Sequence, residues 1–89
     1  MGQTTMGTLD LRYQPNPATD HLRFEVFGLG EQSGTLSLLD GLGRTLLQQP
    51  LAPEQANGML DVSPLAAGCY QLRVHTPTAI VTKGIVLVK

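Results

Sequence analysis

Apolar and polar residues alternate along most of this chain with a period of two residues, rather than the 3.6 of an amphipathic helix. The run 21–27 is typical, because Leu22, Phe24 and Val26 share one face and His, Arg and Glu occupy the other. Six further runs show full or partial alternation, at 8–13, 35–40, 44–49, 58–62, 69–75 and 80–89. No window of about twelve residues has helical spacing. The pattern therefore predicts about seven short β-strands.

Turn-forming residues separate these runs. The segment 40–43, Asp-Gly-Leu-Gly, predicts a tight hairpin in which Gly43 supplies a positive φ and Asp40 supports the turn. Seven strands at intervals of about eight to twelve residues predict an all-β fold, an immunoglobulin-like antiparallel β-sandwich. We expect residues 8–89 to form this single domain, with residues 1–7 as a linker remnant or a start added by cloning.

The last run, 80–89, differs from the others because apolar residues occupy both of its faces after Gly84. Such a pattern indicates either a strand that is buried on both sides or a strand at a sheet edge that awaits a partner.

Two prolines surround one residue in the segment Tyr-Gln-Pro-Asn-Pro, which covers 13–17. Pro15 and Pro17 each hold φ near −65°, and a residue before proline is pushed out of the helical region. We therefore expect Gln14 and Asn16 to be extended and the segment to form a rigid corner before the strand at 21–27. A rigid corner loses less entropy on folding, which helps a domain with a small core.

A second corner is predicted at 63–70, Ser-Pro-Leu-Ala-Ala-Gly-Cys-Tyr. The spacing of Leu65, Gly68 and Tyr70 is typical of the tyrosine corner of Greek-key sandwiches, where the tyrosine hydroxyl bonds to a backbone group a few residues upstream. We expect Leu65 to anchor the corner in the core and Gly68 to adopt a conformation that a Cβ would disfavour.

Composition excludes several classes of function. The net charge is −1 and the six Lys and Arg residues are scattered, so no basic surface for nucleic acid or an anionic membrane is expected. The single cysteine permits no intrachain disulfide. No run approaches the roughly 20 apolar residues of a membrane-spanning helix, and no secretory leader is visible.

Candidate chemistry is sparse. His21 and His75 both fall on the polar faces of their runs, and no serine lies in the setting of a catalytic nucleophile. A calcium site from Asp20 and Asp40 lacks the ligand spacing of a binding loop, and Cys69 has no metal-binding partners nearby in sequence. We therefore expect no enzyme activity, no metal and no cofactor.

Taken in order, these motifs resemble those of the C-terminal sorting domains of the type IX secretion system, a family of short immunoglobulin-like domains at the ends of proteins exported by Bacteroidetes-type bacteria. The resemblance covers about residues 9–89, with Gln14 inserted between the tyrosine and the first proline of the family pattern. The residues that it identifies as sorting motifs are Tyr13, Pro15, Asn16, Pro17, Gly68, Tyr70, Lys83 and Lys89, and those to which it gives a structural role are Asp40, Gly43 and Leu65.

The resemblance implies a non-catalytic address for an upstream cargo. An outer-membrane translocon would recognise the folded domain, and a sortase-like peptidase would usually remove it. The cargo would pass through the periplasm and then reach the cell surface or the medium. No nucleic acid or small-molecule substrate is implied. The segment 85–89 is expected to be a docking edge for the translocon or for a second copy, with an ordinary paired core strand as the alternative.

Two other functions stay open at the level of sequence. A generic immunoglobulin or fibronectin-like spacer would share the tyrosine corner without needing the lysine-containing last strand. A carbohydrate-binding module is the third class, but the chain has no Trp and only two Tyr and two Phe from which to build an exposed aromatic platform.

Overall fold

A computed structural model describes residues 9–15, 17–53 and 56–89 of the chain. These ranges contain no helix and seven strands: β1 (Asp10–Gln14), β2 (His21–Phe27), β3 (Gly34–Leu39), β4 (Thr45–Leu51), β5 (Asn57–Asp61), β6 (Gly68–His75) and β7 (Ile80–Leu87). Sheet A has the strand order β1-β2-β5, and sheet B has the order β4-β3-β6-β7. All pairs of neighbouring strands are antiparallel. The predicted fold class, an all-β sandwich of about seven strands, is confirmed.

The position of β4 follows from the short hairpin that precedes it. Asp40 donates its N–H to the carbonyl of Arg44 at 2.9 Å, and Gly43 donates to Asp40 at 3.0 Å, so the chain reverses within five residues. β4 therefore pairs with β3, whereas the fourth strand of a constant-type immunoglobulin domain lies beside the fifth in the other sheet. Pro50 lies in β4, at an edge of sheet B, where a missing N–H breaks no internal ladder.

The core lies between the sheets and is built by the alternation seen in the sequence. In β2 every second residue is buried, and Phe24 is the largest fully buried side chain. Gly58 lies opposite Phe24 on β5, and a Cβ at Gly58 would lie 3.2 Å from the phenyl ring. The residue without a side chain therefore leaves room for the ring. The remaining apolar core residues are Leu11, Ala18, Leu22, Val26, Leu29, Leu36, Leu38, Leu51, Leu60, Val62, Leu72, Val74, Ile85 and Leu87.

The last strand is shorter and more one-sided than its composition predicts. It ends at Leu87, and it alternates normally, with Ile85 2% exposed and Val86 42% exposed. Of the two alternatives for this run, a strand buried on both sides is therefore wrong, whereas a strand at a sheet edge is confirmed. The physical reason is that Val86 lies on the outer face of sheet B, which no element of the described chain covers.

The registers place four parts of the chain at one end of the sandwich. Gly68 pairs with Leu87, Leu39 with Gln71 and His21 with Asp61, so the corresponding connections and the last residues lie at the same end. We call this the motif end, and it comprises residues 17–20, 40–44, 62–67 and 88–89. The connections 28–33 and 76–79 lie at the opposite end.

Two adjacent residues of β7 test whether this strand is part of the core. Ile85→Ala removes a buried side chain and should lower the free energy of unfolding by about 2–5 kcal/mol, a large part of the stability of a domain of this size. Val86→Ala, on the exposed face, should change it by less than about 1 kcal/mol. Urea unfolding followed by circular dichroism measures both. Equal effects at the two positions would contradict the assignment of β7 to the core.

Candidate functional site

The connection between β1 and β2 contains Pro15 and Pro17, and we call it the proline corner. It brings the backbone of Ala18 to the outer edge of β7. Ala18 is buried, and it donates its N–H to the carbonyl of Val86 at 3.0 Å and accepts from the N–H of Val88 at 2.8 Å. This is a short parallel bridge that joins the β1–β2 connection to the last strand of the other sheet. Pro15 and Pro17 are themselves exposed, and the peptide bond between Gln14 and Pro15 is cis. Asn16 lies outside the described residues.

Tyr13 and Lys83 extend the contact between the two ends of the chain. The Tyr13 hydroxyl donates a hydrogen bond to the carbonyl of Gly84. The Lys83 ammonium lies 3.6 Å from a carboxylate oxygen of Asp10, and both side chains are more than two-fifths exposed. An ion pair so exposed contributes little stability. We call the contacts of residues 10–19 with residues 83–89 the terminal seam.

Lys89 completes the terminal seam with its side chain. Its ammonium donates to the carbonyls of Thr19 at 2.7 Å and Val62 at 3.2 Å, and lies 3.5 Å from that of Ser63. These acceptors belong to the β1–β2 and β5–β6 connections. Charged donors make the stronger hydrogen bonds. The last residue of the described chain therefore ties both corners of the motif end together.

The second corner has the geometry that its spacing predicts. The Tyr70 hydroxyl donates to the carbonyl of Ala66 at 2.6 Å, four residues upstream. Leu65 is half-buried against the core, and its N–H donates to the carbonyl of Val62 at 3.0 Å. Gly68 has φ of +153°, a backbone conformation that residues with a Cβ rarely adopt. Tyrosine and glycine thus shape the β5–β6 connection that Lys89 contacts.

The β3–β4 hairpin is held by one carboxylate. Oxygen Oδ1 of Asp40 accepts from the N–H groups of Leu42 and Arg44, both at 2.9 Å, and Oδ2 accepts from the Arg44 guanidinium at 2.7 Å. The N–H of Arg44, and then its side chain, lower the pKa of Asp40 below its usual value of 3.8. Gly43 has φ of +84°, as expected from the turn. The hairpin presents Leu42, 80% exposed, to solvent.

Asp61 plays a similar part in the β5–β6 connection. Its Oδ1 accepts from the hydroxyl of Ser63 at 2.6 Å and from the N–H of the same residue at 3.0 Å. The hydroxyl of Ser63 contributes most to lowering the pKa of Asp61, followed by its N–H. Both acidic residues therefore stabilise turns while ionised.

Sequence reasoning did not predict the contacts by which two residues hold the motif end together. Ala18 matches the alanine that follows the second proline in the pattern of the resembled family, and its small size fits the close approach to β7 that the structure shows. Lys89 was identified as a motif residue, but its contacts with Thr19 and Val62 join positions about 70 and 27 residues apart in sequence. No local pattern predicts such a contact.

His21 and His75 are exposed, as predicted, and Cys69 is an exposed free thiol. No group of three or more His, Cys, Asp or Glu residues comes together within the described ranges in a way that could hold a metal ion. A shallow depression of about 400 Å³ lies on the outer face of sheet A, between Arg23, Glu25 and Met59. The depression is open and is lined by side chains of both charges, so its polar groups do not point together at one position where a ligand could bind.

The docking edge expected at 85–89 is partly occupied. The bridge to Ala18 takes the carbonyl of Val86 and the N–H of Val88, and Tyr13 takes the carbonyl of Gly84. The outer edge of β7 is therefore open mainly at its beginning, around Ile80 and Thr82. A partner strand at 85–89 would have to displace the proline corner.

Comparison with known proteins identifies one relationship. The family model of the secretion system C-terminal sorting domain matches residues 13–89, which span β1 from Tyr13 to the end of the chain and include the whole motif end. No curated protein matches the chain. Within the described residues, no helix has the length and apolar character that a membrane span requires.

The unusual backbone of Gly68 can be tested against a second glycine. Gly68→Ala should lower the free energy of unfolding by about 1–3 kcal/mol, because the added Cβ strains a conformation with φ of +153°. Gly84→Ala, on β7, meets no atom within 4 Å and has no positive φ, so we expect it to be neutral or stabilising by up to about 1 kcal/mol. Thermal and urea unfolding of both variants measure the difference. A loss at Gly84 as large as that at Gly68 would refute this explanation.

Acid should weaken the β3–β4 hairpin. Because the pKa of Asp40 is lowered in the folded state, its contribution to stability is present above the usual value of 3.8 and is lost as pH falls through the lower folded value. Asp40→Asn should therefore be less stable than the parent at about pH 6, and the difference should shrink towards about pH 2. Urea midpoints across this range measure it. A difference that stays constant with pH would contradict the role of the ionised carboxylate.

Proposed function

Because this chain belongs to the family of type IX secretion C-terminal sorting domains, we propose that it acts as a folded sorting signal, or folded address. An outer-membrane translocon recognises the surface that this signal has only when it is folded. At the level of the family, the domain is a type IX sorting signal, a non-catalytic tail that directs export to the cell surface or the medium. The finer steps, which are recognition by the translocon, transit through the periplasm and removal by a peptidase, are parts of the proposal.

The observation that carries the proposal is that contacts between distant parts of the chain hold the motif end together. Its parts come from the first connection, from the β5–β6 corner and from the last residue, and Ala18 and Lys89 hold them together. These groups are far apart in sequence, so they form one surface only in the folded chain. A pre-ordered surface binds without the ordering cost of a disordered tag. A folded address therefore fits this domain better than a linear one.

The two lysines of the motif set have different surroundings. The ammonium of Lys89 is engaged by backbone carbonyls, which supports a role in holding the motif end in shape. Among the residues that the structure describes, Lys83 forms an ion pair with Asp10 alone, and this pair is exposed, so its charge is accessible to a partner. We therefore propose that Lys83 is read directly and that Lys89 acts through the fold.

The terminal seam also bears on where a peptidase could remove the domain from its cargo. Because the terminal seam joins residues 10–19 to residues 83–89, a cut inside the domain would separate parts that hold each other. We propose that a sortase-like peptidase cuts before Asp10 and that the domain leaves as one unit. The cargo then stays at the cell surface or enters the medium.

A reporter fusion tests the proposal. Residues 9–89 are attached to the C-terminus of a periplasmic reporter in a host that carries the type IX pathway, and reporter activity is measured in periplasm, on the surface and in the medium. We expect most of the reporter to leave the periplasm. The same fusion with Ile85→Ala should remain there, because that variant loses part of the core.

The outcome separates this function from the spacer and the carbohydrate-binding module. A parent fusion that is folded, stable and retained in the periplasm would refute the proposed address. Export of the Ile85→Ala fusion, once shown to be unfolded, would refute recognition of the folded shape.

A further inference from the structure

The first part of β7 forms an open sheet edge. The carbonyl groups of Gly84 and Val86 point away from β6, because they bond to β1 and to the proline corner. Every second residue of an antiparallel strand directs its backbone groups to the same side, so those of Ile80 and Thr82 also point to this edge. Among the described residues, the hydrogen bonds to the backbone along this edge begin at Gly84. The N–H and carbonyl groups of Ile80 and Thr82 are therefore placed to pair with a further strand.

The side chains along this stretch are of the kind that packs well between strands. Ile80, Val81 and Thr82 are all β-branched. Ile80 is 62% exposed, and Thr82 is exposed as well. β7 has one charged residue, Lys83, and a lysine at an edge normally discourages pairing. Its ammonium lies 3.6 Å from the carboxylate of Asp10 in the same chain, so each copy of the domain brings a compensating charge.

Nothing in the described domain requires a glycine at position 84. Its φ is not positive, and a Cβ there would meet no atom within 4 Å. Glycine inside a strand weakens the strand, and it often marks a place where another backbone approaches closely. A large side chain on a neighbouring strand can shield such a glycine. Gly84 is therefore explained if a further strand lies beside β7.

We propose that a second copy of this chain occupies the open edge, through antiparallel pairing of residues 80–84 with the same residues of the other copy about a two-fold axis at Thr82. Because the N–H and carbonyl of Thr82 both point outwards, the two copies of this residue exchange a pair of hydrogen bonds. Gly84 of each copy then lies opposite Ile80 of the other. The contact is isologous, so it closes after two copies.

This register makes the strand complementary to itself. Thr82 lies opposite Thr82, and pairs of threonines are favourable between neighbouring strands. Ile80 covers Gly84 of the other copy, which accounts for the exposed side chain and for the missing one. On the other side of the strand, Val81 lies opposite Lys83 of the second copy. The two lysines are therefore not paired with each other, and no like charges lie directly opposite.

The pairing leaves the rest of the domain unchanged. It involves residues 80–84 and keeps the bridge between Ala18 and β7, in contrast to strand addition over 85–89. The four-stranded sheets of two copies become one sheet of eight strands, because β7 is an edge strand in each. Since the paired strands are antiparallel, the two motif ends lie at opposite ends of the joint sheet. This association goes beyond the proposed sorting function and does not depend on it.

Sedimentation equilibrium of the purified chain tests the association. The contact is small, so we expect weak dimerisation, in which the weight-average mass rises towards twice that of the monomer between about 10 µM and 1 mM. A parent chain that stays monomeric up to about 1 mM would overturn the proposal. The measurement needs no secretion pathway, so its outcome is independent of the export function.

Opposite charges at Thr82 test the register. In the proposed pairing this residue lies opposite its own copy, so Thr82→Lys and Thr82→Asp should each weaken dimerisation about tenfold or more through like-charge repulsion. An equimolar mixture of the two variants should restore dimerisation, because lysine then lies opposite aspartate. Gln48→Lys and Gln48→Asp are matched controls at an exposed position of β4, the other edge strand of sheet B, and should dimerise like the parent.

Circular dichroism and urea midpoints establish that each variant is folded, as we expect because both positions are exposed. Dimerisation of the separate Thr82 variants as strong as that of the parent would refute pairing at this residue. A mixture of the two variants that stays monomeric would refute it as well.

Amide hydrogen exchange of the parent, followed by nuclear magnetic resonance, gives a test without substitutions. The N–H of Thr82 should exchange about threefold or more slowly at about 1 mM than at about 10 µM, whereas that of Gln48 should exchange at the same rate at both concentrations. Exchange at Thr82 that does not depend on concentration would contradict the pairing, even in a sample that dimerises.

Discussion

The parallel bridge between Ala18 and β7 joins the two sheets at the end of the sandwich where the family motifs lie. Sheet A and sheet B share no strand, so their relative position depends on packing in the core and on the few polar contacts that cross between them. Within the described residues these contacts include two hydrogen bonds of Ala18, the hydroxyl of Tyr13, the ammonium of Lys89 and the exposed ion pair of Lys83 with Asp10. Pro17, directly before Ala18, has a φ held near −65°, which restricts the directions in which the chain can approach the edge of β7.

The same bridge also covers part of the exposed edge of β7. An open edge with apolar residues invites pairing with other chains, and proteins cover or charge such edges. Here the end of β7 is covered by the corner, and Lys83 places a charge along the strand. Pro50 blunts the opposite edge of sheet B at β4. Strand addition over 85–89 would therefore require displacement of the proline corner, whereas the edge of β7 is open around Ile80 and Thr82.

Sequence patterns predicted the seven strands and most of the core, because period-two alternation reports directly on a sheet with one buried face. Local corners were also predictable: the hydroxyl of Tyr70 and the carboxylate of Asp40 bond within four residues, so their geometry is written in the spacing. At 80–89 the apolar residues on both faces left two alternatives, and only the structure decides between them: β7 is an edge strand, and Val86 on its outer face is exposed. The contacts of Ala18 and Lys89 could not be predicted, because they depend on which strands become neighbours in three dimensions.

The contact between the first and last strands determines when in folding this part of the domain can be completed. β1 and β7 are the extremes of the chain, and the hydroxyl of Tyr13 meets Gly84 across 71 residues. Contacts of such long range form late and slowly, since the loop between them must close first. A partly emerged polypeptide therefore has no finished motif end to display, whatever its remaining strands have done. A partner that recognises this surface can therefore bind only after the whole segment has emerged and folded. The topology thus sets the time of recognition as well as its specificity.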